Sequence, residues 1–286
     1  MNDLNNDSLS FGYFGKLPQY ADFIKHKAGS EEFSLLDDWL QKGIASAKIK
    51  FKNDWKTVYS KSPVYEFFFP VKKNESVIAG VLYPGIDKSG REFPFIIFSV
   101  MKKKSFNNKL IGSLPLKLNR FFYQAKQLYT IAVNSTDVNS INTEFSKTSV
   151  SINTSSAIDN LFEEYLSSTS ISELNERIFT QLENDSQSQG ISFIADDENY
   201  NFDSGFLIQV SSVVNRNSDM LPFIFRTRTE DYNAKIFVYP VQPDSEDFSK
   251  LITAETSDKI KNKLFDFNNR NITLKQYLEE QSLHSN

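Results

Sequence analysis

Residues 80–94 have the sequence GVLYPGIDKSGREFP, which predicts a strand, a tight turn and a second strand. Residues 77–83 are apolar and rich in β-branched and aromatic side chains, as strands usually are. The segment DKSG at residues 87–90 is typical of a turn in which Gly90 adopts a positive φ. Residues 93–100 are apolar again, which indicates a strand that is buried on both faces.

Two opposite charges lie at the shoulders of this predicted turn. Asp87 and Arg91 are four residues apart and within reach of a salt bridge. One interpretation is a clamp that stabilises only the turn, and the other is an edge that recognises a partner. The sequence leaves both interpretations open.

The pattern of apolar residues around the hairpin predicts an α/β fold. Three consecutive strands follow one another too closely for helical crossovers, so this part of the sheet should be antiparallel. Two amphipathic helices have apolar faces that should cover both sides of the sheet, which gives a three-layer α/β/α sandwich. The strands are predicted at 9–14, 63–71, 76–84 and 93–101, and the helices at 30–51 and 114–133.

A change in composition separates two parts of the chain. Of the 23 residues 134–156, 15 are Ser, Thr or Asn, which predicts a linker or a long surface loop. We therefore expect an N-terminal part at 9–133 and a C-terminal α/β part at 157–254 that packs on the same sheet. Residues 255–286 are predicted to form a helical extension.

The C-terminal part is predicted to contain both helices and strands. Ser170 and Glu173 form a capping-box pattern at the start of the second of two short helices. Alternating apolar residues predict a strand at 205–214. The other predicted strands are at 191–195, 223–228 and 235–241, and further helices are predicted at 245–253, 260–267 and 274–278.

The composition argues against several classes of protein. The chain has 286 residues, no cysteine and a net charge of -4, with no basic patch of the kind that binds nucleic acid. The polar N-terminus lacks the features of a signal peptide, and no apolar run has the length of a membrane helix. We therefore expect a soluble cytoplasmic protein that neither binds nucleic acid nor inserts into a membrane.

The chain lacks the sequence patterns of the common enzyme classes. Only His26 and His284 are present, and neither a G-x-S-x-G elbow nor an HExxH zinc motif occurs. A hydrolase that uses Asp22, Asp87 and Glu66 is conceivable, but nothing in their spacing favours it. The sequence predicts a protein that is not an enzyme and that needs neither a metal nor a cofactor.

Four segments resemble one family, the TagF (ImpM) proteins of bacterial type VI secretion. Residues 12–23, GYFGKLPQYADF, resemble its opening motif, with Ala21 where the family usually has Gly. Trp39-Leu40-Gln41 with Gly43, and Ser62-Pro63-Val64 with Phe67, resemble its next two segments. Residues 80–94 resemble its most specific motif, with Gly85 in place of the usual Ser.

The resemblance implies a mixed sheet in an α/β/α sandwich and a non-enzymatic regulator. TagF-like proteins repress type VI secretion after translation, and several bind the forkhead-associated-domain scaffold of the apparatus, so this scaffold is the expected partner. An alternative is a structural or assembly component of the same apparatus. We expect the rigidly held polar residues Lys16, Asp22, Asp87 and Arg91 to bind the partner, although Asp22 could instead cap a helix.

Overall fold

The computed structural model describes nine segments of the chain, which contain both strands and α-helices. These segments are 8–71, 75–102, 108–177, 179–182, 191–196, 199–214, 221–228, 233–254 and 271–284. The strands are β1 (Ser8–Ser10), β2 (Gly12–Gly15), β3 (Ile24–His26), β4 (Tyr65–Val71), β5 (Ser76–Tyr83), β6 (Phe95–Lys102), β7 (Ser149–Ser151), β8 (Phe179–Leu182), β9 (Ile191–Asp196), β10 (Phe223–Arg228) and β11 (Asn233–Tyr239). The helices are α1 (Glu31–Phe51), α2 (Trp55–Ser60), α3 (Leu114–Lys117), α4 (Asn119–Asn134), α5 (Val138–Lys147), α6 (Ser156–Ser168), α7 (Ile171–Arg177), α8 (Tyr200–Val214), α9 (Asp247–Thr253) and α10 (Leu274–His284).

The chain divides into two compact units, and each unit contains segments that are distant in sequence. Unit 1 consists of residues 1–105, 119–152 and 244–255, and unit 2 of residues 106–118, 153–243 and 256–286. These limits differ from the predicted ones, which followed the chain without interruption. Composition reports local preference, whereas a unit is defined by which segments pack together.

Unit 1 is built on an antiparallel sheet with the strand order β3-β2-β6-β5-β4. The predicted hairpin is present, and Val81 pairs with Ile97 at its centre. β4 and β5 are buried along their whole length, which explains why both are continuously apolar. Every strand pair that the structure describes within either unit is antiparallel, which agrees with the predicted, largely antiparallel character of the sheet.

Helices cover both faces of the unit 1 sheet. Successive side chains of a strand point to opposite faces, and β4 shows this directly. Phe69 packs on Trp39 of α1 with ring centroids 5.8 Å apart, whereas Phe68 packs on Phe122 of α4 at 5.6 Å. The predicted three-layer α/β arrangement is therefore confirmed in unit 1.

The helix α9 joins unit 1 because it packs on α1. The Trp39 indole N–H donates a hydrogen bond to the Asp244 carbonyl at 3.3 Å. Gly43 lets the two helices approach closely, since a Cβ at this position would lie 2.6 Å from Phe248. The core-packing role of the Trp39–Gly43 segment is thus visible, and the predicted helix at 245–253 is present.

The prediction of a linker or surface loop at 134–156 is wrong. Residues 138–147 form α5, which begins at Asp137, where the carboxylate accepts hydrogen bonds from two backbone N–H groups. Ile141 and Phe145 of this helix are buried, and β7 pairs with β1. A few large apolar side chains at helical spacing were enough to anchor a segment that is otherwise rich in Ser, Thr and Asn.

Unit 2 contains antiparallel strands in the order β10-β11-β9-β8, together with α3, α6, α7, α8 and α10. The predicted strand at 205–214 is wrong, because these residues lie within the helix α8. Phe206, Leu207 and Ile208 are all buried, and a helix that is buried on every side shows no helical periodicity.

Two further predictions in unit 2 are confirmed. Ser170 and Glu173 form the capping box of α7: the Ser170 N–H donates to Glu173 Oε2 at 2.6 Å, and the Glu173 N–H donates to Ser170 Oγ at 3.1 Å. The stretch 274–278 lies in α10, whereas the predicted helix at 260–267 lies outside the described residues.

Of the helices that the structure describes, none has the length and apolar character needed to cross a bilayer.

Candidate partner-binding site

Three of the four predicted site residues meet at one end of the unit 1 sheet. Lys16 follows β2, while Asp87 and Arg91 bound the turn between β5 and β6. β2 pairs with β6, so the residue after β2 comes next to the turn that precedes β6. We call Lys16, Asp87 and Arg91 the Asp87 cluster.

The carboxylate of Asp87 is buried and makes four close contacts. Its Oδ2 lies 3.0 Å from Lys16 Nζ and accepts a hydrogen bond from Arg91 Nε at 2.7 Å. Its Oδ1 accepts from the backbone N–H groups of Ser89 at 2.9 Å and Arg91 at 3.0 Å. Asp87 therefore holds the turn from inside, with only 3% of its surface exposed.

The contacts of Asp87 favour its ionised form. Burial raises the pKa of the Asp87 carboxyl, but the groups that donate hydrogen bonds to it lower the pKa by more. These are the Arg91 backbone N–H, the Lys16 and Arg91 side chains and the Ser89 N–H. The pKa of Asp87 consequently lies well below its usual range, and this carboxyl stays ionised at neutral pH.

Hydrogen bonds join the turn to the segment that leads from β2 to β3. Arg91 Nη2 donates to the Ala21 carbonyl at 2.6 Å, and the Lys88 N–H donates to the Tyr20 carbonyl at 2.8 Å. The other side of the same segment is tied to the end of α4, where Gln19 Nε2 donates to the Val133 carbonyl. This segment is therefore held on two sides.

Two glycines make this geometry possible. Gly90 has a φ of 78°, as predicted for the turn. Gly15 has a φ of 136°, and a Cβ there would lie 2.0 Å from the Pro94 carbonyl oxygen. Glycine tolerates both the positive φ and the close approach of the two strands.

Phe23 places an exposed aromatic ring beside the Asp87 cluster. Its ring stacks on Phe14 with centroids 5.2 Å apart and meets the edge of Phe93 at 4.8 Å. Lys16 Nζ lies 4.9 Å from the centroid of the same ring. Although it has these contacts, 40% of Phe23 is exposed, so a rigidly supported aromatic face is accessible to a partner.

Comparison with known families places this site within a recognised domain. The family described as the TagF N-terminal domain, type VI secretion system-associated, matches residues 12–148. These residues are a TagF N-terminal domain. The TagF domain contains the whole Asp87 cluster and Phe23, and its presence indicates a type VI secretion-associated protein.

One solved structure resembles the protein beyond the TagF domain. PA0076 from Pseudomonas aeruginosa PAO1 matches with a TM-score of 0.55 and 18% sequence identity, over 88% of this chain and 98% of that chain. At this identity the similarity shows a shared fold. A search of curated proteins finds no match to the chain.

Asp22, the fourth predicted site residue, is not among the hydrogen-bond or ion-pair partners of the Asp87 cluster that the structure describes. Its Oδ1 accepts a hydrogen bond from the N–H of the next residue, Phe23, at 2.8 Å, and its side chain is exposed. The alternative prediction, that Asp22 caps a helix, is wrong, because β3 begins at Ile24 and pairs with β2. Asp22 thus caps no helix.

The two departures from the family motif have different structural settings. Ala21 replaces the usual Gly, and it is not among the described residues with positive φ, so its Cβ causes no strain there. Gly85 replaces the usual Ser, and a Cβ at this position would lie 2.3 Å from the Phe93 carbonyl oxygen. The hairpin of this TagF domain is thus packed for glycine at residue 85.

Sequence reasoning did not select Phe23 as a site residue. The chain has 26 phenylalanines, and no sequence pattern separates an exposed ring from a buried one. The available signal was that Asp22-Phe23 belongs to the segment that resembles the opening TagF motif. Exposure itself depends on how the segment from β2 to β3 packs.

The acidic residues considered for hydrolysis have separate partners in the TagF domain. Glu66 Oε1 lies 2.6 Å from Lys126 Nζ, whereas Asp87 is bound by Lys16 and Arg91. Within the part of the chain that the structure describes, no group of three or more His, Asp or Glu side chains could hold a metal ion. The arrangement suits a rigid binding surface.

Proposed function

We propose that the protein is a non-enzymatic cytoplasmic repressor of type VI secretion. In this proposal it acts after translation by binding the forkhead-associated-domain scaffold of the apparatus, which keeps the scaffold from assembly. The observation that carries the proposal is the TagF domain at residues 12–148, whose opening motif and hairpin motif meet at the Asp87 cluster. Resemblance to the TagF family supplies the regulatory role and the partner.

The geometry supports a role in binding. Asp87 and Lys16 are buried and paired, so they position the surface, while Arg91 and Phe23 are accessible on it. The side chain of Arg91 is 57% exposed while its Nε and Nη2 are held by hydrogen bonds. A side chain that is held in place before binding loses little conformational freedom when the partner arrives.

The first test is deletion of the gene, followed by measurement of secreted type VI substrates in the culture medium. A repressor predicts increased secretion, which the wild-type gene reverses. Arg91→Glu should fail to reverse it, because the change removes the cation and places a second carboxylate beside Asp87. Arg120→Glu, at an exposed position in the first turn of α4, is the matched control and should repress normally.

The second test is affinity purification of the tagged protein from its own bacterium. Recovery of the scaffold with the wild type and with Arg120→Glu, but not with folded Arg91→Glu, would support the proposal.

The alternatives predict other results. Loss of secretion on deletion of the gene would indicate an assembly component, and unchanged secretion under inducing and non-inducing conditions would refute repression. A hydrolytic activity of the purified protein that Asp22→Ala abolishes without unfolding it would identify a hydrolase.

A further inference from the structure

Basic residues lie on the strand and the turn next to the exposed Phe23. We call Phe23, Lys25, Lys88 and Arg91 the Phe23 surface. Lys25 pairs with Phe14 across β2 and β3, and directly opposite residues point to the same face of a sheet. Lys25 therefore lies on the face where Phe14 stacks on Phe23. Lys88 is exposed on the turn, and its backbone N–H donates a hydrogen bond to the Tyr20 carbonyl.

The Asp87 cluster adds to this positive charge. A single carboxylate, that of Asp87, faces the two cations Lys16 and Arg91, so the cluster keeps an excess positive charge. The exposed carboxylate of Asp22 is the opposing charge on the segment beside it. The surface is thus basic, although the chain as a whole carries a net charge of -4.

Acidic residues on the neighbouring elements have cationic partners. Glu92, which follows Arg91, lies 3.6 Å from Lys48 of α1. Glu32, in the first turn of α1, lies 3.3 Å from Lys102 of β6. These carboxylates are each compensated locally, so they do not cancel the charge of the Phe23 surface.

Arg91 is positioned to bind a carboxylate on another molecule. Among the described residues its Nε donates to Asp87 and its Nη2 to the Ala21 carbonyl, which fixes the guanidinium plane. The remaining N–H donors of a guanidinium can pair with a carboxylate, and aromatic and Arg side chains are enriched at the energetic centres of interfaces.

We infer that the Phe23 surface binds an acidic protein surface, with Phe23 in an apolar pocket of the partner and carboxylates around that pocket contacting Lys25, Lys88 and Arg91. The argument is charge complementarity around an exposed ring that the fold holds in place. The inference rests on the proposed function and specifies the chemistry that the scaffold must present to the TagF domain.

The test measures binding of the purified full-length protein to the purified scaffold from the same bacterium at two salt concentrations. Lys25→Glu/Lys88→Glu reverses two charges and leaves the Asp87 cluster unaltered. We expect it to weaken binding roughly 10- to 100-fold at about 50 mM salt. At about 0.5 M salt, where exposed charges are screened, the affinity of this variant should be within about threefold of the wild-type affinity.

Phe23→Ala separates the apolar contribution from the charges. It should weaken binding roughly 30-fold at both salt concentrations, as expected for a buried aromatic anchor. The control Arg120→Glu/Lys275→Glu reverses the same number of charges, at exposed positions in the first turns of α4 and α10. A glutamate suits a helix N-terminus, so this control should fold and bind within about twofold of the wild type.

The outcomes distinguish the inference from the proposed function. If the wild type binds but Lys25→Glu/Lys88→Glu matches the control, or Phe23→Ala binds normally, the inference is overturned and the repressor proposal stands. If the wild type does not bind the scaffold, both fail. If sedimentation shows that the wild type self-associates and Phe23→Ala does not, the surface joins two copies and the inference is overturned.

Discussion

Replacing Gly85 by alanine should destabilise unit 1, even though related proteins usually have serine at this position of the motif. A Cβ at residue 85 would lie 2.3 Å from the Phe93 carbonyl oxygen, 2.6 Å from the Lys16 carbonyl oxygen and 2.9 Å from the Phe95 nitrogen. All three atoms belong to the backbone, so no side-chain rotation relieves the contact. The hairpin and the strand end at Lys16 must therefore move apart.

The expected cost follows from the number of backbone atoms that must move. Overpacking in a close-packed region usually costs about 1–3 kcal/mol, and three simultaneous backbone contacts place Gly85→Ala near the upper limit. Reduced freedom of the unfolded chain returns about 0.4–1 kcal/mol when glycine becomes alanine. We expect the free energy of unfolding to fall by about 2 kcal/mol, and Gly85→Ser to behave alike because it adds the same Cβ.

Urea unfolding, monitored by tryptophan fluorescence, measures this change in the free energy of unfolding of unit 1. The two tryptophans of the chain, Trp39 and Trp55, both lie in unit 1. Gly29→Ala is the matched control, because nothing lies within 4 Å of a Cβ built at this exposed glycine. It should change stability by less than about 1 kcal/mol, in the stabilising direction.

Gly85→Ala would refute this reasoning if it unfolded at the same urea concentration as the wild type. That result would mean that the hairpin relaxes without cost, and that close packing does not hold the Asp87 cluster in place. A destabilised Gly85→Ala should also bind the partner less well, since Lys16 belongs to both the contact and the cluster.

Three further changes test the packing of unit 1. The depressed pKa of Asp87 contributes stability above about pH 4, and this contribution is lost in stronger acid. Urea unfolding should therefore show that the difference in free energy of unfolding between the wild type and Asp87→Asn becomes smaller from pH 6 to pH 3. A difference that stays constant would contradict this. Tyr65→Phe removes a buried hydrogen bond of 2.7 Å to the Leu251 carbonyl and should cost about 1 kcal/mol in the same assay, whereas no loss would show that α9 is held without it. Phe145→Ala removes a fully buried ring 4.7 Å from Tyr13 and should cost about 3–5 kcal/mol; a cost below about 1 kcal/mol would mean that α5 contributes little to the core.

Local patterns predicted the hairpin and its surroundings well. The apolar runs of β4, β5 and β6, the turn with Gly90 and the helix α1 are all features in which neighbours along the chain determine the structure. Asp87 and Arg91 are four residues apart, so their ion pair could also be predicted. These predictions succeeded because sequence separation and spatial separation are both small.

Predictions failed where burial or composition obscured the local pattern. Residues 205–214 form a helix without visible periodicity because Gly205 and its neighbours are buried. A Cβ at Gly205 would lie 2.2 Å from the Gly112 carbonyl oxygen, a contact across more than 90 residues that no local window contains. The Ser-rich segment 134–156 was judged by its polar majority, although Phe145 anchors it in the core.

The sequence by itself determined the α/β fold, because strand patterns and glycine-containing turns depend on neighbours along the chain. Its motifs, separately, showed the resemblance of the N-terminal part to the TagF family. Tertiary structure decided which of the predicted site residues act together. Lys16 reaches Asp87 only because β2 pairs with β6, while Asp22 accepts a hydrogen bond from the backbone of its own neighbour, Phe23. Exposure of Phe23 was decided in the same way, since solvent access depends on every segment that packs around a residue and not on its own neighbours in the chain.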